Sequence, residues 1–249
     1  MRIHIIGCRV LTRELSALIY RSANIIDVTW IPQGMHDTPV LLHKRIESCL
    51  EQLYQDLEKT PNMTAPDYIV LGYGLCSKAT EGIRAKEIPI VIPATEDCIG
   101  IFLGSQERYL DCFRKYPGTF WANSRWAEEL PEFQPDYEEK LHQKYMEQYE
   151  DEDTADYLVE MAREGLKNYR MLGYIGTDTF DDSSQKALSK GYADRYQLAF
   201  REFSGDKTIL QKIADGNFDP ETFCILKPGE ESVLQTDQEP QRLTARPYA

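Results

Sequence analysis

The chain contains no run of about 18 apolar residues, so no segment of it reads as a membrane-spanning helix. It has no CxxC pair, no HExxH element and no Ser-His-Asp order, which removes the zinc-ribbon, zincin and serine-hydrolase signatures. Gly72 and Gly74 are followed by no third glycine at the GxGxxG offset, and no GxxxxGK[ST] is present, so a nucleotide phosphate loop is not expected. Low-complexity blocks and internal repeats are also lacking. The first residues enter a strand without a basic stretch and a long apolar helix, so no secretory signal is expected and the expected location is the cytoplasm.

Positive charge is scarce. The net charge is −13, and most of it is regional: between Glu128 and Glu164 fourteen acidic residues face only Lys140, Lys144 and Arg163. Such a segment reads as a solvated helical arm whose field repels nucleic acid and anionic membranes. Neither is expected as a partner.

What is present is a strand and helix alternation. Strands are predicted at 2–7, 25–31, 68–74, 88–93 and 118–122, and helices at 11–22, 39–58, 77–85 and 99–115. The pattern resumes with strands at 171–176, 197–203 and 222–227 and helices at 183–194 and 207–215. Short β runs separated by helical periodicity imply βαβ units. The expected fold is α/β, a mostly parallel, Rossmann or flavodoxin-like open sheet covered by helices, with an acidic helical insertion. The expected organisation is an α/β lobe over 1–127, the insertion over 128–170, a continuing lobe over 171–228 and an irregular polar tail over 229–249.

Six cysteines without an export signal argue for thiols, not a disulfide framework. Cys49, Cys112 and Cys224 fall inside periodic segments and read as small buried hydrophobes. Cys8, Cys76 and Cys98 differ, because each follows an apolar run that reads as a strand. The edge just past the strand ends is where ligands collect in open parallel sheets. With strand order 2-1-3-4, strands 1, 3 and 4 are neighbours about 4.8 Å apart and the three thiols share one edge. With order 3-2-1-4, Cys76 is two strands away.

Three thiolates suit an iron–sulfur cluster, of the 4Fe–4S type first, or zinc. Three protein ligands leave one position open for substrate. Two alternatives stand beside this: Cys98, after Asp97 and before a helix, as a metal-free nucleophile of lowered pKa, and all three thiols as packing residues. Around Cys76, the residues Tyr73, Ser77, Lys78, Thr80 and Glu81 are candidates to line a pocket, with Glu81 a proton-transfer group. His36 precedes the long helix, where Thr38 is a plausible N-cap and Pro39 its first residue; it is a candidate acid, base or ligand. Arg108, within the helix after Cys98, is a candidate for binding an anionic substrate group, against a surface ion pair.

These fragments together resemble the family called domain of unknown function 1638. Its pattern has Cys-Gly after the first strand, a Leu-His-Asn-x-Pro element, GYGLCGxG, PRxxDCIxxLLGSxxxY and PGTYYxTxGW. Here they stand as Gly7-Cys8, Met35 to Pro39, Gly72 to Ser77, Pro93 to Tyr109 and Pro117 to Trp126, and the likeness runs over about residues 1–230. Ala94 replaces the arginine of the pattern, and Ser77-Lys78 replaces Gly-Asn. The resemblance implies anaerobic bacteria or methanogenic archaea and company with corrinoid methyl-transfer systems.

The expected function is therefore a metal-dependent lyase, desulfurase or transferase acting on a small, sulfur-bearing substrate. The alternative from another class is a non-catalytic accessory protein that binds metal, corrinoid or a partner methyltransferase, or a second copy of itself.

Overall fold

The computed structural model describes residues 1–235 and 241–248. The chain forms two compact units, one from Met1–Leu110 with Asp206–Ala249 and one from Asp111–Gly205.

In the first unit the order is β1 (Arg2–Cys8), α1 (Thr12–Ile19), β2 (Ile25–Ile31), α2 (Pro39–Lys59), β3 (Tyr68–Gly72), β4 (Ile90–Pro93) and α3 (Cys98–Leu103), with α4 (Gln106–Lys115) running into the second. After the second unit the chain returns as α9 (Thr208–Asp215), β8 (Phe223–Leu226), β9 (Glu230–Gln235) and β10 (Arg242–Pro247). The sheet order is β2-β1-β3-β4-β8, parallel except for β8. Ile69, Val70 and Leu71 on β3 and Ile90, Val91 and Ile92 on β4 are wholly buried. Such unbroken apolar runs are what central strands covered on both faces require.

The second unit comprises β5 (Thr119–Asn123), α5 (Ser124–Glu129), α6 (Tyr137–Tyr149), α7 (Glu152–Glu164), β6 (Met171–Gly176), α8 (Ser183–Arg195) and β7 (Ala199–Ser204). Its three strands are parallel in the order β5-β6-β7. The acidic insertion is the pair α6 and α7, joined by the Arg163–Glu138 and His142–Asp156 ion pairs. Trp126 packs on the apolar core of this unit, as expected of an interior aromatic.

Several expectations are corrected. The helix expected over 77–85 is a series of turns, because Cys76, Ser77 and Lys78 all have left-handed φ (44°, 56° and 71°) and Gly82 follows at 78°. The helix expected over 99–115 is broken at Gly104 (φ 85°) into α3 and α4. The lobe boundary falls at Leu110/Asp111 instead of 127/128, and the stretch 171–228 is divided at Gly205/Asp206. Most of the supposed tail is the antiparallel hairpin β9–β10, whose Leu234 and Leu243 are buried, while 236–240 and 249 lie outside the described residues. At the start of α2, Val40 and Leu41 are exposed and Leu42 is buried.

Candidate functional site

Sheet order decides whether the three strand-end cysteines can meet. In β2-β1-β3-β4-β8 the strands β1, β3 and β4 are adjacent, with Gly7 opposite Gly72 and Val70 opposite Val91. All six cysteines remain thiols. Cys76 is buried, and Cys8 and Cys98 are half-buried. Each of Cys76 and Cys98 lies within the electrostatic reach of the other two thiols of the set or of Asp97.

The loops carrying Cys76 and Cys98 are tied by backbone. Leu75 N–H donates to Thr95 O and Cys76 N–H to Glu96 O, both at 2.8 Å. The approach is so close that a Cβ on Gly74 would sit 2.5 Å from the Thr95 carbonyl oxygen. Gly72 likewise allows β3 to lie against β1, since a Cβ there would meet Gly7 Cα at 3.0 Å. The two glycines thus serve close strand and loop approach. Left-handed backbone at Cys76, Ser77 and Lys78 stores strain of the kind that gathers at functional sites.

Asp97 is the site residue that the sequence did not single out as functional. Its Oδ1 accepts from Ile99 N–H at 2.8 Å and so caps α3, and Tyr109 donates to its Oδ2 at 3.3 Å. Burial raises the Asp97 carboxyl above its usual range, against the opposing effect of these donors and of His36. Glu96 is raised too, by burial and then by Asp97. The signal for Asp97 was its place before a helix, which capping alone explains.

Burial pushes the thiols of Cys76 and Cys98 up, and Asp97 with the neighbouring thiols pushes them further. The side chains that act on them most strongly are acids and thiols, with no cation among them. An activated thiolate normally depends on a nearby cation or imidazolium. The setting therefore opposes the metal-free, low-pKa reading of Cys98.

Tyr73, just past the end of β3, is 3% exposed, and its hydroxyl has no hydrogen-bond partner among the described residues. Its pKa is raised by burial and by Cys8, Cys76, Cys49 and Cys98, which places it among the thiols. A buried phenol without a partner costs free energy, about 1–3 kcal/mol. On the same edge, Gln33 after β2 has both amide atoms buried, and Gln106 accepts from Glu96 N–H at Oε1; among the described residues neither Gln33 amide atom nor Gln106 Nε2 has a partner.

The other candidates divide. His36 is exposed on the short turn after β2, 3.4 Å from Asp37 Oδ1, and acts on Asp97. Ser77 and Lys78 are exposed on the left-handed turn. Thr80 is buried and its hydroxyl is spent on the Gly74 and Leu75 carbonyls, so it shapes the loop. Glu81 is half-buried. Arg108 donates to the Leu103 carbonyl and acts on Asp206, which fits a helix-end clamp better than an anion site. Thr38 stands at the N-cap of α2 but its hydroxyl makes no capping bond.

No group of three or more His, Cys, Asp and Glu side chains among the described residues is arranged as a preformed metal site. No helix among them is long and apolar enough to cross a membrane. The family model "Protein of unknown function (DUF1638)" matches residues 30–214. The chain belongs to the DUF1638 family. The matched stretch holds Cys76, Asp97 and Cys98 and begins after Cys8. No curated protein and no solved structure matches the chain.

Proposed function

We propose that this DUF1638 protein is a cytoplasmic enzyme of anaerobic metabolism that holds an iron–sulfur cluster, or else zinc, on Cys8, Cys76 and Cys98. The observation that carries the proposal is the adjacency of β1, β3 and β4, with a thiol at the end of β1 and thiols past the ends of β3 and β4, and no cation among the groups that act most strongly on Cys76 or Cys98. Cys8, Cys76 and Cys98 would hold such a centre as thiolates, and it would supply the positive charge that their surroundings lack. The donor set is soft, as such centres need, and the unpartnered Tyr73 hydroxyl faces the same group of thiols.

When bound, such a centre supplies a Lewis-acidic position for a small, sulfur-bearing substrate in lyase, desulfurase or transfer chemistry. Asp97, whose carboxyl burial raises above its usual range, would hold a proton beside Cys98, with Tyr109 donating to its Oδ2. His36, exposed at the rim and acting on Asp97, is placed to exchange that proton with solvent.

The test is anaerobic purification followed by iron, zinc and sulfide analysis and a visible spectrum, on the parent and on C8S, C76S and C98S. Near-stoichiometric metal in the parent that falls in each variant supports the proposal. A parent that stays free of iron and zinc, even after reconstitution with iron and sulfide, overturns it.

A further inference from the structure

The second unit contains a cavity that owes nothing to the cysteines. It has a volume of about 280 Å³ and is lined by Phe120, Phe133, Tyr137, Tyr192, Tyr196 and Glu132 among others. The rings form a cluster: Tyr192 is stacked on Phe133 at 4.6 Å and on Phe120 at 5.5 Å and lies tilted against Tyr196 at 4.7 Å between centroids. Aromatic faces carry negative electrostatic potential and attract cations.

The charged side chains of the wall are unequal. Glu138 is fully engaged, because Arg163 grips it with Nε to Oε1 at 2.9 Å and a terminal nitrogen to Oε2 at 2.7 Å. Tyr196 donates to the same carboxylate. Glu132 is different, since its Oε2 is buried with no hydrogen-bond partner among the described residues. Arg195 passes close by but donates to the backbone carbonyls of Glu132 and Gln134, at 3.1 and 2.9 Å. With Arg163 matched to Glu138, Glu132 is the lining carboxylate left without an ion pair among the described residues.

A buried acceptor without a donor is costly unless a ligand provides one. We propose that this cavity is a binding site for a small organic cation, an ammonium group on an apolar body. The ammonium pairs with the Glu132 carboxylate, and the body lies against the rings of Phe133, Tyr192 and Tyr137. The volume is at the lower end of the range for ligand pockets, about 300–1,000 Å³, which sets a ligand of few heavy atoms.

An adjoining cavity of about 560 Å³ is lined by Arg163, Lys167 and Arg195 and would favour an anion instead, so ligand charge is the discriminating variable. The experiment titrates benzylammonium, benzyl alcohol and benzoate into the full chain at constant ionic strength, followed by calorimetry and tyrosine fluorescence. The proposal expects benzylammonium to bind at least about fivefold more tightly than benzyl alcohol, benzoate not at all, and E132Q to erase the difference between the first two. Y137L, which leaves the carboxylate in place, should weaken both. Equal binding of benzylammonium and benzyl alcohol, tighter binding of benzoate, or no benzylammonium binding by the parent overturns it. Because the comparison of ligands is made on the parent protein, a folding defect in either variant does not decide the outcome.

Discussion

Gly74 lies against Thr95 so closely that a Cβ would come within 2.5 Å of the Thr95 carbonyl oxygen and 2.9 Å of the Asp97 nitrogen. Both obstacles are backbone, so neither can rotate away. This contact brings the turn bearing Cys76 to the loop bearing Cys98, reinforced by the two hydrogen bonds from Leu75 and Cys76.

G74A is therefore expected to destabilise the protein by about 1–3 kcal/mol, the usual range for overpacking, and to lower metal retention more than C49S, a substitution at a buried cysteine outside the set of three. Urea unfolding with metal analysis of both variants checks this. A G74A protein as stable as the parent would contradict the contact.

Ser77 and Lys78 occupy left-handed backbone, φ 56° and 71°, where a side chain is strained and glycine is not. S77G and K78G should each raise stability by about 0.5–1 kcal/mol, read from the urea midpoint at unchanged m-value. A loss of stability in both would show that the turn is not left-handed. The Gly-Asn of the family pattern at these positions is what such backbone favours.

Asp219 has a pKa lowered to about 2, first by the hydrogen bond from Lys212 and also by the donors at Thr222. The folded state stays ionised where the unfolded state is already protonated. Its contribution to stability is thus complete above the ordinary carboxylate value near 3.8 and is lost as pH falls toward about 2. The pair is partly exposed, so solvent and salt reduce the effect. D219N should show a shallower loss of unfolding free energy between about pH 4 and pH 2 than the parent, measured at low salt. Identical acid slopes would rule out the pairing.

The α/β class and nearly all strand positions were legible because buried strands leave unbroken apolar runs and covering helices leave a 3.6-residue period. Strand order was legible only as a choice of two, since register and neighbours depend on contacts far apart in sequence. The turn at 77–85 was misjudged because Ala79, Ile83 and Ala85 have helix-like spacing, while the left-handed φ of Cys76, Ser77 and Lys78 leaves no mark in residue type. The hairpin β9–β10 escaped for a related reason: Glu231 is buried by pairing with Arg84 and Arg246, so a charged residue occupies an inward position. Tyr73 and Asp97 were hard to rank, since their importance lies in an unmet hydrogen bond and a neighbouring thiol.

The antiparallel strand β8 pairs Cys224 with Ile92 and Phe223 with Pro93, closing the edge beside β4 from a point far along the chain. As the polypeptide leaves the ribosome, β1 to β4 emerge first, and the whole of Asp111–Gly205 follows before the strand that seals them exists. During that interval the backbone of β4 has an open side, an invitation to another nascent chain. The length of the insert therefore sets how long the first four strands must wait for their last neighbour.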